Sequence, residues 1–236
     1  MLQKEKHKET KFVIMAGGKG TRMNHELPKV LVPLGDKPMI KHVIDTISKI
    51  SEEKPVVIVG YKRDLIKKTL GSTCVYAIQK KPLGTAHAVL SAEKTCGKAK
   101  EIVVLSGDQP FVTEKTILKT IEKFRKSKAK IAFTTTKVPN FLDWKKAYIP
   151  LGRVLRKNGK IYAIREYKDA NEKEKKVKEI NTACCYVFDS KWLWKNLKKV
   201  KNNNAKGEYY LTDLFHIASE AREKIETIKM EPHEAL

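Results

Sequence analysis

An apolar run that leads directly into a glycine-rich, cationic loop constrains this chain more than any other feature. Phe12–Met15 has the composition of a short buried strand, and the loop after it contains Gly17, Gly18 and Gly20. Glycine lets backbone N–H groups turn towards an anion, because no Cβ blocks a positive φ or a close approach. The sequence therefore predicts a strand that ends in a cradle for a polyphosphate.

The spacing of the glycines separates this loop from two common phosphate-binding motifs. A Walker P-loop needs Gly-Lys followed by Ser or Thr, whereas Arg22 follows Gly20-Thr21 here. The dinucleotide fingerprint needs a third glycine where this chain has Met23. Arg22 and Lys29 add fixed positive charge, which favours phosphate binding over the alternative of a plain strand-to-loop turn.

Apolar runs of strand length alternate with helical patterns over the first 137 residues or so. Met39–Ile50 has apolar residues at helical spacing, and another helix is predicted to open at Thr113. This alternation predicts an α/β fold with a mostly parallel sheet, helices on both faces and ligands beyond the carboxyl ends of the strands. The predicted strands are Phe12–Met15, Val56–Val59, Val75–Ile78, Ile102–Leu105 and Ile131–Thr135.

From about Val138 the pattern becomes richer in β-structure. A hairpin is predicted around Asn158-Gly159, and Ala183–Phe188 returns as a strand. Helices are predicted over Trp192–Leu197 and Tyr209–Ala221. We expect one domain over residues 1–236, with this later region forming a small β-rich insertion on the substrate side.

Composition excludes several other classes of protein. No apolar stretch approaches the ~20 residues that a membrane helix needs, and the polar start Met1–Lys6 has no apolar signal core. The four cysteines lack metal-ligand spacing, so buried thiols in a reducing cytoplasm are expected. The net charge of +22 comes mainly from lysines that are scattered along the chain, which favours solvated surfaces over a nucleic-acid interface. We therefore expect no nucleic-acid partner and no membrane partner.

Two groups of polar residues follow predicted strands. Asp108 comes just after Ile102–Leu105 and has the oxygen chemistry that Mg²⁺ prefers, although a turn-forming Asp is the alternative. Gln79, Gly84 and Thr85 could read a base edge, but Thr85 could equally be a helix N-cap. No nucleophile with an adjacent base stands out, so covalent catalysis is not indicated.

Taken together, these motifs resemble the bacterial N-acetylglucosamine-1-phosphate uridylyltransferases, the nucleotidyl-transfer half of bifunctional enzymes in the sugar nucleotidyltransferase superfamily. The matching stretches occur in the family's order and cover about residues 11–230. They are Ala16–Met23, Leu27–Leu31, Gln79 with Leu83–Ala88, Gly107-Asp108, Glu166–Ala170, Glu179–Thr182 and Asn202–Asp213.

The resemblance implies a Rossmann-like fold that joins UTP to N-acetylglucosamine 1-phosphate and releases pyrophosphate with Mg²⁺. It implies a nucleotide-binding half over about 1–137 and a sugar-binding half over about 138–230. Arg22 and Lys29 would neutralise the triphosphate during catalysis, and Asp108 would bind the metal. The nucleotide would contact Ala16, Gly17, Gly18, Gly20, Thr21, Gln79, Gly84 and Thr85. The sugar phosphate would contact Gly152, Glu166, Asn181 and Thr212.

The chain also departs from the family pattern. The family's second metal ligand is an Asn in a Gly-Val-Asn segment, which does not occur within these 236 residues. Either the chain is a fragment, or Asp108, phosphates and water hold the metal. Acetyl transfer is not expected, because the family's β-helical half is not among these residues. Residues 139–150 replace a shorter approach to Gly152, which leaves another sugar 1-phosphate open. Gly17, Pro82 and Ser106 replace residues common near the base and metal, which leaves another NTP open. The missing Asn leaves open a catalytically weak sugar-nucleotide binder.

Overall fold

The computed structural model describes residues 9–18, 20 and 26–235, except for the side chain of His233. The strands are β1 (Thr10–Ala16), β2 (Pro33–Leu34), β3 (Lys37–Pro38), β4 (Val56–Val59), β5 (Val75–Ile78), β6 (Glu101–Ser106), β7 (Ile131–Lys137), β8 (Arg153–Lys157), β9 (Lys160–Arg165), β10 (Glu179–Asp189) and β11 (Ile225–Lys229). The helices are α1 (Met39–Ile50), α2 (Arg63–Leu70), α3 (Thr85–Leu90), α4 (Glu93–Cys96), α5 (Glu114–Ser127), α6 (Glu172–Lys175), α7 (Ser190–Leu197) and α8 (Asp213–Glu220).

One mixed sheet organises the described residues, with the strand order β11-β7-β10-β6-β1-β4-β5. The strands β6, β1, β4 and β5 run parallel, and β11 is parallel to β7. The exception is β10, which lies antiparallel between β6 and β7. The β8–β9 hairpin joins the sheet through β10. The expected α/β fold with a mostly parallel sheet flanked by helices is therefore confirmed.

The central strands are apolar throughout because both faces of the sheet are covered. In β1, Phe12 and Ile14 belong to one core cluster, whereas Val13 belongs to the cluster on the other face. The first cluster includes the apolar stripes of α1 and α5, and the second includes those of α3, α7 and α8. Successive residues of a strand point to opposite faces, so alternate residues feed two separate cores.

Several local signals in the sequence fold as predicted. Thr113 caps α5, since its hydroxyl accepts the N–H of Thr116 at 3.2 Å. Asn158 and Gly159 both have positive φ, at 50° and 75°, which is the backbone of the tight turn that suits a twisted hairpin. No helix among the described residues is long and apolar enough to span a membrane.

One predicted helix starts later than expected. The pattern predicted a helix from Tyr209, but α8 begins at Asp213. Tyr209 instead donates its N–H to Leu83 O and accepts the N–H of Ala86, both at 2.8 Å. Because these backbone groups are used between distant segments, Tyr209 cannot also make helical hydrogen bonds. The result is an extended crossing that brings residues 207–212 next to the start of α3.

Candidate active site

A cavity of ≈ 530 Å³ opens where β1 and β6 end. Met15 pairs with Ser106 in the parallel ladder, so the segments after both strands leave the sheet at the same edge. Every described residue that the sequence assigned to nucleotide or metal lines this cavity. These residues are Ala16, Gly17, Gly18, Gly20, Lys29, Gln79, Gly84, Thr85 and Asp108.

Thr21 and Arg22 lie outside the described residues, so their predicted roles stay predictions.

Gly17 allows the side chain of Gln79 to reach the floor of the cavity. A Cβ at Gly17 would lie 2.7 Å from Gln79 Oε1, a distance that real Cβ atoms do not tolerate. Gln79 Nε2 donates to Gly84 O at 3.1 Å and lies 3.2 Å from His87 Nδ1. The amide of Gln79 is therefore held by α3 while it borders the glycine-rich loop.

Gly84 is the residue at which α3 meets the loop before α8. Its φ is +113°, and a Cβ there would lie 2.5 Å from Tyr209 O. Thr85 opens α3 as its first residue, and its hydroxyl accepts the N–H of Leu211 at 2.8 Å. The alternative of Thr85 as the N-cap is therefore wrong, because Gly84 occupies that position and the Thr85 hydroxyl contacts a remote segment.

Lys29 and Asp108 form an ion pair in the wall of the cavity. Lys29 Nζ lies 2.7 Å from Asp108 Oδ2, and both side chains remain about one-third exposed, at 38% and 33%. At this exposure the pair contributes little to stability, since water screens it. Its place beside the glycine-rich loop instead puts one cation and one carboxylate within reach of the same ligand.

A second cavity of ≈ 200 Å³ contains all four predicted sugar-binding residues, Gly152, Glu166, Asn181 and Thr212. Thr212 Oγ1 donates to Glu166 Oε1 at 3.0 Å. Burial raises the pKa of the Glu166 carboxyl, and the Thr212 hydrogen bond partly opposes this rise. A half-buried carboxylate with one fixed donor is suited to accept hydrogen bonds from neutral hydroxyl groups.

Asn181 is oriented by a buried hydroxyl. Asn181 is 3% exposed, its Nδ2 lies 2.8 Å from Tyr186 Oη, and its Oδ1 lies 3.0 Å from the same hydroxyl. The backbone N–H of Asn181 donates to Gly152 O at 2.9 Å. Tyr186 and Gly152 therefore fix the position of Asn181 from two sides.

The two cavities adjoin, because Met15, Thr85, Ser106 and Glu208 line both of them. Sequence reasoning assigned no role to Ser106 or Glu208, although both lie inside matched or neighbouring motifs. Ser106 Oγ donates to Ala183 O at 2.9 Å, which ties β6 to β10 at the boundary. The other unassigned polar residues of the second cavity are Tyr186, Lys206 and Tyr210.

The wall of the first cavity suits a divalent cation that arrives with a phosphate. Among the described residues, no cluster of three or more His, Cys, Asp or Glu side chains forms a metal site. Mg²⁺ in phosphate-transfer sites usually takes one or two carboxylates together with phosphate oxygens and water. Asp108 provides one such carboxylate on the cavity wall, so the residues present fit a shared protein–phosphate site.

Curated relatives match most of this chain. The bifunctional protein GlmU of Geobacillus thermodenitrificans is 43% identical over 207 residues, which is 87% of this chain and 43% of the relative. The bifunctional protein GlmU of Exiguobacterium sibiricum is 40% identical over 215 residues, or 90% of this chain and 46% of the relative. The chain thus spans less than half the length of these relatives. The family resemblance seen in the motifs is confirmed.

Two solved structures share the fold of this chain. A putative glucose-1-phosphate thymidylyltransferase from Bacillus anthracis, in complex with a sucrose, is 26% identical with a TM-score of 0.75, over 94% of this chain and 87% of that one. A UDP-glucose pyrophosphorylase complexed with UDP-glucose, 19% identical, shares the fold with a TM-score of 0.70 over 94% of this chain and 91% of that one. Residues 12–177 match the MobA-like NTP transferase domain, and the chain belongs to that family.

Proposed function

We propose that this chain transfers a uridylyl group from UTP to N-acetylglucosamine 1-phosphate, giving UDP-N-acetylglucosamine and pyrophosphate. The observation that carries the proposal is the pair of adjoining cavities, one with a glycine-rich loop and an ion pair, the other with a half-buried carboxylate and a buried amide. Such a pair can hold a nucleotide and a sugar phosphate end to end. The GlmU relatives favour this substrate pair.

The chemistry needs charge neutralisation more than a base. An anionic oxygen of the sugar phosphate attacks the α-phosphorus of UTP, and the bond from that phosphorus to the β-phosphate oxygen breaks. Pyrophosphate leaves with the bonding electrons, so no proton has to move at the reacting atoms. Two anions must therefore be held together, and positioning with opposite charge supplies most of the catalysis.

Each part of the proposed site has a defined task in that reaction. The loop amides around Gly17, Gly18 and Gly20 face the nucleotide, and Gln79 and Gly84 border the place for its base. Lys29 stabilises the charge on the phosphates, a task that the sequence also assigns to Arg22. Glu166, Asn181 and Thr212 bind the sugar hydroxyls.

Mg²⁺ completes the proposed site. Asp108 would hold it together with phosphate oxygens, and the bound ion would stabilise negative charge on the reacting phosphates. The Lys29–Asp108 distance of 2.7 Å keeps the two charged groups at one place, where both reach the same phosphates. Residues 1–137 are then the nucleotide-binding half and residues 138–230 the sugar-binding half of one cytoplasmic enzyme domain.

A panel of substrates tests the proposal. The purified chain is incubated with Mg²⁺ and each pairing of UTP, dTTP, ATP or CTP with N-acetylglucosamine 1-phosphate, glucose 1-phosphate or galactose 1-phosphate, and pyrophosphate release is measured. We expect the highest kcat/KM for UTP with N-acetylglucosamine 1-phosphate. A preference for another pair would change the substrate assignment, as the thymidylyltransferase-like neighbour suggests. Binding of UTP without any turnover would favour a sugar-nucleotide-binding protein instead.

A further inference from the structure

Arg153 is the largest fully buried side chain among the described residues, with 1% of its surface exposed. It is the first residue of β8 and directly follows Gly152 of the second cavity. An arginine keeps its charge at any ordinary pH, so its burial has to be compensated by the surroundings. Burial lowers the pKa of the Arg153 guanidinium from its usual value, and none of the described residues forms an ion pair with it.

Backbone carbonyls, rather than a carboxylate, surround the guanidinium. Its Nη2 donates to Ile149 O at 3.1 Å, and its Nη1 donates to Leu151 O and to Tyr148 O at 3.3 Å. Its Nε donates to Lys175 O at 3.2 Å, at the end of α6. One side chain therefore holds three carbonyls of the segment Tyr148–Leu151 and links that segment to α6.

Two aromatic rings stabilise the same guanidinium. Its Cζ lies 4.8 Å from the centre of the Phe141 ring and 5.2 Å from the centre of the Tyr167 ring. Phe141 belongs to the stretch 139–150 that replaces the shorter family connection. Tyr167 directly follows Glu166 in the chain. Arginine is suited to such a site because its planar fork stacks on rings while its edge donates hydrogen bonds.

The segments that Arg153 joins are walls of the second cavity. Pro150 and Leu151 line it before Gly152, and Glu166 lines it next to Tyr167. Gly152 lies close to Glu166, since a Cβ at Gly152 would be 3.5 Å from Glu166 Oε1. Gly152 O also accepts the N–H of Asn181, so a shift of this segment would move both sides of the cavity.

We propose that Arg153 is a positioning residue for the acceptor: it holds Tyr148–Leu151 against Tyr167 and thereby sets Gly152 and Glu166 for the sugar phosphate. This inference rests on the proposed function for its kinetic consequence. It extends that function to a residue that does not line either cavity. The nucleotide cavity shares none of the segments that Arg153 binds, so the effect is confined to the acceptor.

Two substitutions at Arg153 and two matched controls test the inference. Arg153→Lys keeps the charge but has three donors on one nitrogen, and Arg153→Met removes the charge. Arg156, three residues further along β8, forms an exposed two-bond pair with Glu179 away from the second cavity, so Arg156→Lys and Arg156→Met are the controls. Steady-state KM and kcat are measured for each substrate. Amide hydrogen exchange of residues 141–152 is measured on the same four variants.

We expect Arg153→Lys to raise the KM for the sugar 1-phosphate about 10- to 100-fold, as a small misplacement of binding groups does. The KM for the nucleotide should stay within about twofold. Exchange should become faster at residues 148–152 and stay unchanged in β1 and β6. The Arg156 controls should leave all of these values unchanged. Arg153→Met should raise the KM for the sugar 1-phosphate even more and should also leave the KM for the nucleotide nearly unchanged.

Two results would overturn the inference. One is an unchanged KM for the sugar 1-phosphate in Arg153→Lys. The other is an equal rise in the KM values for both substrates, which would indicate a general loss of structure. If the parent protein turns over no substrate pair, the proposed function fails, but the exchange experiment still decides the role of Arg153. In that case, unchanged amide hydrogen exchange at residues 148–152 in both Arg153 variants would reject the positioning role of Arg153.

Discussion

The two cavities that meet at Ser106 and Glu208 are built in different ways. In the first cavity the backbone does most of the positioning, through parallel strand ends and through glycines that permit close approach at Gly17 and Gly84. In the second cavity, side chains position one another, as Thr212 does for Glu166 and Tyr186 does for Asn181.

This difference has a physical consequence. A phosphate chain is common to all NTPs, so a backbone cradle serves any of them, whereas the hydroxyl pattern of a sugar must be matched by individual side chains. We therefore expect changes in the first cavity to affect catalysis or folding and changes in the second to affect recognition of the acceptor.

This difference between the two cavities predicts that Asp108→Ala strongly lowers turnover without changing the second cavity. We expect kcat/KM to fall roughly 10²- to 10³-fold, the range for loss of a group that stabilises developing charge. Pyrophosphate release measures the loss, and thermal unfolding verifies that the fold persists. Asp64→Ala is the control, because the Asp64 side chain is 90% exposed on α2. A fully active Asp108→Ala variant would remove this carboxylate from the proposed metal site.

Backbone positioning in the first cavity predicts an unequal cost for two glycine substitutions. Gly84→Ala would place a Cβ 2.5 Å from Tyr209 O at a φ of +113°. We expect it to lower the free energy of unfolding by about 3 kcal/mol or more. Gly97→Ala, with a φ of +59° and open space around it, should cost about 1–2 kcal/mol. Urea unfolding measures both values, and equal costs would contradict the close approach at Gly84.

In the second cavity, we expect Glu166→Gln to raise the thermal stability of the protein by an amount that depends on pH. Burial raises the folded-state pKa of Glu166, so the unfolded chain ionises first as the pH rises above 4.5, and the folded state is then disfavoured. Glutamine cannot ionise, and its amide oxygen can still accept from Thr212. We expect a higher Tm than the parent at pH 7.5 and no gain at pH 4.

Glu220→Gln, at an exposed position of α8, is the control for Glu166→Gln and should show no such pH dependence. The affinity for the sugar 1-phosphate should fall at the same time, because the carboxylate is lost. An equal Tm difference at both pH values would show that ionisation of Glu166 does not contribute.

The smallest effect is expected at the bulge of β10. The register between β10 and β7 shifts between Asn181 and Tyr186, and Ala183 there has a φ of 54°. Ala183→Gly should raise the free energy of unfolding by up to about 1 kcal/mol, because glycine adopts this φ without strain. Ala163→Gly, in the regular strand β9, should instead lower it by about 0.5–1 kcal/mol. Chemical unfolding curves for the two variants provide the comparison.

The first half of the molecule was the more predictable from sequence. The strand Val56–Val59 begins and ends where its apolar run does, because a strand buried on both faces is apolar throughout. The edge strand Val75–Ile78 also matches its apolar run, although Val75 and Ile78 are exposed. Gln79 could be identified because it directly follows the run Val75–Ile78, and Asp108 because it lies three residues after the run Ile102–Leu105. In the second half, the Asn158-Gly159 turn could be predicted as well, because both residue types adopt a positive φ readily. Each of these signals is local, so neighbouring residues suffice to specify it.

The sequence by itself determined the parallel strands, the glycine-rich loop and the residue types of both cavities, since periodicity and motifs are local properties. Only the tertiary structure decided that Tyr209 leaves its predicted helix and that Ala183 sits at a bulge. It also decided that Arg153, a charged residue followed by the apolar Val154 and Leu155, lies at 1% exposure. The reason is that contacts between separate segments contribute to these positions, such as those of Tyr209 with Ala86 and of Arg153 with Lys175, and such pairings leave no pattern along the chain.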